Sequence, residues 1–455
     1  MSNQDDSILQ ATDKNVTIPT DMTTLSSQPY KGTRDYYPAD KRIQNYIFDT
    51  WKQVVQRHGY EEYGAPMLEP LEVYTAKSGQ ELAGEQTYAF TDRGGRTVAI
   101  RPEMTPSISR MVAARRQELG YPARLFSIAN FMRYERPQRG REREFWQLNT
   151  DIFGVEGAVA EAEIIGLASR IMKAFGATDD MFTIKINNRK LINFMMAQYL
   201  GLDGPEALAM VKLFDRKDKI SKEDFTAQAT SIFGEDLAEN GLERIEQLLI
   251  AKSMADLPAE LRDSSAVVEV QELFTLLEAA GVKNVIFDIS LMRGLDYYTG
   301  TVFEVVDTDP QNNRSLFGGG RYDGLVGIFG AEPIPTVGMA PGLTTMELFL
   351  ATHNLLPQLT STTDIGIIVL GDTLKGALKL ASGLREQGVN VEVDISGRKL
   401  EKQMKAVLKK GVPFMLFVGE QELADGVYSL KNTTTEEEQK LAADAIVQYV
   451  RRRLA

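Results

Sequence analysis

Cysteine is absent from the 455 residues of this chain, which excludes disulfides, thiolate nucleophiles and thiolate-held metal. Histidine occurs only twice, as His58 at the end of an amphipathic stretch and His353 in a polar connection, and both read as structural or surface residues. Any chemistry must therefore run without a Ser-His-Asp triad and without a His-ligated zinc, and no metal centre is expected. Positioning and electrostatics are what remain. No apolar run approaches the length that spans a bilayer, and the opening MSNQDDSILQATDKN lacks the basic-then-apolar order of a secretory leader. A cytoplasmic protein without membrane association is expected. Positive charge is scarce too: 51 Lys and Arg against 63 Asp and Glu leave a formal net charge of -12. That balance argues against sequence-blind coating of nucleic acid but permits a local basic groove.

The chain does hold one concentrated patch of positive charge, in FMRYERPQRGREREFWQLNTD from Phe131 to Asp151. Arg133, Arg136, Arg139, Arg141 and Arg143 fall within eleven positions, broken by Pro137 and Gly140, which predicts a hairpin that projects the charge. Guanidinium groups bind phosphate oxygens through paired hydrogen bonds, so the cluster suits a polyphosphate or a nucleic-acid backbone. The alternative is a solvated loop neutralised by Glu135, Glu142 and Glu144.

Length and a hydrophobic content of 43% allow two or three cored domains. Residues 1–28 are polar and aperiodic and read as a disordered arm. A core follows over 29–355. Apolar residues at Ile43, Tyr46, Ile47, Trp51, Val54 and Val55 give a helix from Lys41 to His58, closed by Gly59. An extended segment with Pro66 follows it. YAFTD, TVAIRPE, ARLFSIANFMRY and FWQLNTDIFGV read as strands of an antiparallel sheet, interrupted by a helix near Ser107 to Leu119. Residues 160–282 read as mostly helical, with an insertion over about 195–265. Sheet patterns return in NVIFDIS, DYYTGTVFEVV and FGGGRYDGLVG, and another helix covers about 342–355. A linker at 356–362 leads to 363–455, where strands and helices alternate as a small α/β domain with a parallel or mixed sheet. Counted over 364–455, 14 Lys and Arg meet 13 Asp and Glu, so the acidity lies in the rest of the chain. The fold class is α+β, an antiparallel core with flanking helices and a C-terminal α/β domain.

Three further segments carry chemistry. TVAIRPEMTPS sets Arg101, Glu103 and Thr105 just past a strand end, where a carboxylate and a hydroxyl can hold an ammonium group. Thr105 can equally serve as a helix cap before Pro106. SLMRGLDYYTGTVFE brings Arg293, Asp296, Tyr297 and Tyr298 to a strand, and alternation predicts that only one of the two tyrosines lines any given pocket. FGGGRYDGLVG fits neither GxxxxGK[ST] nor GxGxxG, so its glycines read as positions where another group approaches the backbone closely.

Taken in order, GTRDYYP, RPEMTPS, the arginine hairpin, RGLDYYTGTVFE, GGGRYDG and VGMAPGL, followed by an α/β domain, resemble the histidyl-tRNA synthetase family of class II aminoacyl-tRNA synthetases. The resemblance runs from about Tyr30 to the C-terminus. RYERPxxGRxREFxQ indicates class II, and RGLDYYxxTVFE with GGGRYDG indicates the histidine enzymes and their paralogues. It implies a class II catalytic core with a helical insertion, a C-terminal anticodon-binding domain, and a homodimer whose interface involves the Lys41 helix and the Pro66 segment. It implies ATP as substrate, Mg²⁺ on the pyrophosphate side, and L-histidine and tRNA(His) as partners. By the same resemblance Arg133 contacts the α-phosphate, Arg141 the outer phosphates, and Phe145 the adenine. Arg293 is implied as the family's catalytic arginine, near the α-phosphate and the substrate carboxylate. Glu103, Thr105 and Gln147 would hold the α-amino group; Asp151, Tyr297, Tyr298 and Tyr322 would form the histidine pocket; Gln138 and Arg139 would meet the acceptor end of tRNA.

Two positions depart from the family pattern. Asp151 stands where glutamate is commonest, and Thr345 stands where class II enzymes usually carry an arginine over the adenine. The second departure leaves room for a non-catalytic paralogue, either a regulatory subunit of ATP phosphoribosyltransferase or an RNA-binding pseudo-synthetase.

Overall fold

A computed structural model describes residues 25–76, 84–217, 220–234, 237–292, 297–312 and 315–454. They fall into two compact units, one ending at Leu356 and the other starting at Pro357. Of the expected N-terminal arm, residues 1–24 lie outside the described residues.

In the first unit, a helix over Pro38–Arg57 buries Gln44, Ile47, Trp51, Val54 and Val55 along one stripe. Gly59 ends it at φ +79°, and the amides of Gly59 and Tyr60 turn back onto the carbonyls of Gln56 and Val55. This stripe and the helix Ala158–Ala174 cover one face of an eight-stranded sheet. The strands run in the spatial order Glu61–Glu62, Ala123–Met132, Glu144–Phe153, Thr336–Met339, Ser315–Arg321, Thr301–Asp307, Phe182–Asn188 and Val285–Phe287. All neighbours are antiparallel except the two outermost pairs, which are parallel. Leu148, Ile152, Phe303, Val305 and Val337 point into the covered face and join its core. The alternate residues face the other way, onto the candidate site.

Three differences from the sequence reading have physical causes. Ala89–Thr91 and Thr97–Ile100 do not join the main sheet; they pair with Leu68–Pro70 in a separate three-stranded sheet. Local pattern marks a strand but does not say which sheet receives it. Phe182–Asn188, inside a stretch expected to be helical, is a strand whose Phe182, Ile184 and Ile186 are fully buried; the alternation of FTIKIN carried that signal. Thr105 is not a cap, because the helix Thr105–Ala114 takes Met104 as its N-cap.

Over the insertion the described residues are helical, through Gly204–Asp215, Lys222–Phe233 and Ala238–Ile250. The second unit holds a five-stranded mixed sheet in the order Val391–Val393, Ile365–Val369, Phe414–Val418, Val427–Asn432 and Glu438–Ala442. Its first three strands are parallel and its last two antiparallel. Glu438–Ala442 carries no apolar alternation because it is an exposed edge strand, where charge protects against pairing with other chains.

Candidate active site

The uncovered face of the main sheet floors a cavity of about 630 Å³. Alternation sends Gln147, Asn149 and Asp151 of one strand into it. Beside them the floor is bare backbone at Gly318 and Gly338. A Cβ at Gly338 would meet Asp151 Oδ1 at 2.1 Å, and one at Gly320 would meet Tyr298 Cε1 at 2.9 Å. Gly320 of the glycine run thus admits Tyr298 against the backbone, the close approach its sequence suggested, and Gly338 on the neighbouring strand admits Asp151. Arg321, next in that run, is structural: it is buried and grips both carboxylate oxygens of Glu161 at 2.6 Å and the Gly157 carbonyl at 2.9 Å. Its neighbour Tyr322 points the opposite way, into the cavity.

At the buried end Tyr322 donates its hydroxyl hydrogen to Asp151 Oδ1. Burial pushes the Asp151 carboxyl up to about 7, against the opposing effect of that hydrogen bond. Glu103 is buried as well and accepts from the Tyr297 hydroxyl at 2.8 Å. Burial, and then the Glu103 charge, drive Tyr297 well above the usual tyrosine range, so it acts as a donor. Tyr297 and Tyr298 both line the cavity with ring centroids 5.2 Å apart, contrary to the expectation that only one would. The cause is local. The strand begins only at Thr301, so strand alternation does not govern the two tyrosines. Thr105 completes this wall, whereas Arg101 turns away to bond the carbonyls of Asn130 and Ala65 at 2.9 and 2.8 Å.

The open end is cationic, and the five hairpin arginines divide their tasks. Arg133 lines the cavity, anchors Nε on the Pro102 carbonyl at 2.9 Å and stacks over Phe145 at 5.1 Å. Arg141 also lines it and pairs with Glu135 at 3.3 Å. Arg139 borders a smaller adjoining cavity of about 140 Å³, which shares Gly140, Leu316 and Thr345 with the first. Arg143 is buried between Tyr30 and Tyr134 and braces the hairpin. Arg136 is exposed. At the tip the backbones of Gln138 and Arg141 exchange both hydrogen bonds across Gly140, which takes φ +78°. Among the described residues Glu135 pairs with a hairpin arginine, whereas Glu142 contacts Arg34 and Thr344 and Glu144 accepts from Asn130. The bland reading of a loop neutralised by all three glutamates therefore does not describe Glu142 and Glu144.

Thr345 ties its hydroxyl to the carbonyls of Leu316 and Gly342, at 2.7 and 3.0 Å, and extends no cation into the cavity. Arg293 and Asp296 lie outside the described residues. Asn149, Glu304 and, from the helical insertion, Asp215 also line the cavity and were not singled out from the sequence. Asn149 was findable, since it alternates with Gln147 and Asp151 on one strand. Asp215 lies far along the chain and had no local signal. Among the described residues no cluster of three or more His, Cys, Asp or Glu could hold a metal ion, and no helix is long and apolar enough to cross a membrane.

An antiparallel sheet whose open face joins an arginine hairpin to a buried carboxylate pocket defines a class II aminoacyl-tRNA synthetase core, and known proteins agree. The histidyl-tRNA synthetase family model matches residues 32–346, and an anticodon-binding domain model matches 364–453. The chain is 40% identical over 435 residues to a histidine–tRNA ligase of Leptospira biflexa, covering 95% of this chain and 99% of that protein. A histidine–tRNA ligase of Halobacterium salinarum is 37% identical over 420 residues, covering 90% and 94%. The crystal structure of a histidyl-tRNA synthetase from Nostoc sp. superposes with a TM-score of 0.78 at 25% identity, over 94% of this chain and 100% of that one. The chain belongs to the histidyl-tRNA synthetase family.

Proposed function

We propose that this protein ligates histidine to tRNA(His) in two steps. A histidine carboxylate oxygen first attacks the α-phosphorus of ATP; the bond to the β-phosphate oxygen breaks, giving histidyl-adenylate and pyrophosphate. A terminal ribose hydroxyl of tRNA then attacks the adenylate carbonyl; AMP leaves, and the hydroxyl proton passes to the departing phosphate. The observation that carries this reading is the polarity of the single cavity. One end holds Glu103, Thr105, Gln147 and Asp151, suited to an amino acid with a polar ring. The other holds Arg133 and Arg141, suited to phosphates.

In this reading Arg133 neutralises charge developing at the α-phosphate, and its bond to the Pro102 carbonyl fixes the guanidinium beforehand. Arg141, tethered only at the surface, takes the outer phosphates, and Phe145 takes the adenine face. Glu103, Thr105 and Gln147 hold the ammonium group, with Tyr297 orienting Glu103. Asp151, Tyr298 and Tyr322 enclose the imidazole. A site with buried polar groups rejects apolar analogues, which would leave those groups unpaired. Arg293 is assigned to the substrate carboxylate and α-phosphate by family resemblance alone. Hard carboxylate oxygens suit Mg²⁺, and Glu135 and Glu304 are the cavity residues that would hold it. Its charge would offset that of the pyrophosphate group.

Gln138 and Arg139, exposed at the hairpin tip, would meet the acceptor end of tRNA, and the C-terminal domain would bind the anticodon. A homodimer is supported by Tyr37, Met67 and Leu68, exposed apolar residues at the segments assigned to its interface. The cytoplasm is where ATP and tRNA would reach it. The test is histidine-dependent exchange of pyrophosphate into ATP. Exchange that requires histidine establishes the activity. Its absence, with tRNA binding intact, leaves a pseudo-synthetase, the reading that Thr345 alone favours.

A further inference from the structure

Glu103 and the carbonyl that anchors Arg133 belong to one short connection. The strand Thr97–Ile100 ends just before it and the helix Thr105–Ala114 starts just after it, so residues 101–103 lie outside both elements. Pro102 has no amide hydrogen to tether the backbone. The start of the connection is held by the Arg101 amide, which donates to the Met67 carbonyl at 2.9 Å, and by the Arg101 carbonyl, which accepts from the Met132 amide at 3.2 Å. Yet this segment serves both ends of the cavity. The Pro102 carbonyl takes Arg133 Nε at 2.9 Å on the phosphate side, and Glu103 meets the Tyr297 hydroxyl at 2.8 Å on the amino-acid side.

The Arg101 side chain is spent on fixing that segment. It is 7% exposed; Nε donates to the Asn130 carbonyl at 2.9 Å, Nη1 to the Ala65 carbonyl at 2.8 Å, and Nη2 to Asn130 Oδ1 at 3.3 Å. Asn130 belongs to the strand Ala123–Met132 of the main sheet, and Ala65 to the extended segment before Leu68–Pro70. Asn130 also donates to Glu144, at the stem of the arginine hairpin, at 2.9 Å. Among the described residues no carboxylate pairs with Arg101, and Glu69, whose charge reaches it, is held by Arg110 at 2.8 Å. A cation buried against carbonyls bears a desolvation cost, and burial accordingly lowers the Arg101 pKa. Filling space would need only an apolar side chain. A rigid fork of five donors is what can hold two separate backbones at fixed angles.

We propose that Arg101 is a positioning residue for both ends of the site, its guanidinium holding residues 101–103 so that the Pro102 carbonyl aims Arg133 and the Glu103 carboxylate meets the substrate ammonium. This rests on the ligase reading above. Arg101 touches neither substrate and acts through Arg133 and Glu103.

The test measures pyrophosphate exchange, corrected for the active fraction by titration, and thermal unfolding on full-length wild type, Arg101→Met, Arg101→Lys, Arg133→Ala and the double variant Arg101→Lys/Arg133→Ala. Arg101→Met lowers kcat by about tenfold to a hundredfold and raises the histidine KM about tenfold, because both anchor points shift. The ATP KM stays within about twofold, since Arg141 and Phe145 are held elsewhere. Arg101→Lys, which keeps the charge and can reach one of the two carbonyls, recovers part of both losses. In the Arg133→Ala background Arg101→Lys changes kcat by less than about twofold, since its route through Arg133 is already gone, while the histidine KM still rises. Additive losses of kcat in that cycle overturn the proposal. So do constants that match wild type in the folded fraction of either variant, or an ATP KM that rises as far as that for histidine. If Arg101→Met does not fold, Arg101→Lys carries the test; if Arg101→Lys fails to fold as well, Arg101 is a structural residue and the proposal is overturned. Inactive wild-type protein would overturn the ligase reading itself, whereas each of the other outcomes is read on active wild type.

Discussion

Tyr322 donates a hydrogen bond to Asp151, and Asp151 in turn lies against the bare backbone of Gly338. The carboxylate is thereby held at the closed end of the cavity, where burial raises its pKa to about 7 from an ordinary value of 3.8. Three constraints meet there: a donor, an absent side chain and a low dielectric.

The first prediction concerns pH. Below about 7 Asp151 carries a proton and loses its strength as an acceptor for a ring N–H, so the histidine KM should rise as pH falls through 7. The ATP KM should not follow it. Free histidine titrates near about 6.5, and Asp151→Asn should abolish the enzyme's limb while leaving that of the ligand. Because the folded pKa lies above the unfolded one, Asp151 costs no stability below pH 3.8 and progressively more up to about 7. Asp151→Asn should therefore flatten the stability profile over that window in a melting series.

Gly338→Ala should disable the pocket. The new methyl would meet Asp151 Oδ1 at 2.1 Å and the Thr150 carbonyl at 3.0 Å, and the second cannot swing aside. Overpacking of this kind costs about 1–3 kcal/mol. Calorimetry should register that loss, and the histidine KM should rise far more than the ATP KM. Equal effects on both substrates would mean that the methyl displaces the whole sheet instead.

Arg133 and Arg141 should separate by kinetic constant. Arg133→Ala removes a donor fixed by the Pro102 carbonyl, and kcat for exchange should fall by about 10²–10³. Arg141 is largely exposed and held by one surface pair, so Arg141→Ala should raise the ATP KM by roughly tenfold with a smaller effect on kcat. The reverse ordering would contradict the assigned roles.

Arg321→Ala tests structure rather than chemistry. It would strip Glu161 of a buried bidentate partner, a loss of about 3–5 kcal/mol. Thermal unfolding should drop accordingly. If Arg321→Ala kept wild-type stability and lost activity alone, Arg321 would belong to the site.

Legibility varied with the range of the interaction. The Gln147-to-Asp151 row, the hairpin and the Pro38–Arg57 helix were readable because alternation, turn residues and helical spacing are local. The helix end was equally local, for Gly59 adopts its positive φ within one turn of the residues it caps. Thr345 was also visible as a departure, but its effect was not: only the fold reveals that its hydroxyl is spent on two carbonyls.

The sequence by itself determined the elements, the run of glycines and the charge pattern, along with the family those motifs resemble. Only the tertiary structure decided which arginines reach the cavity and which brace the hairpin, because that depends on Tyr30 and Pro102, residues distant along the chain. It alone brought Glu103 to Tyr297 across 194 positions, and it alone left Asn149 Nδ2 buried without a partner among the described residues. Spacing along a chain fixes which face a side chain takes, whereas burial and partnership depend on what the rest of the chain packs against that face.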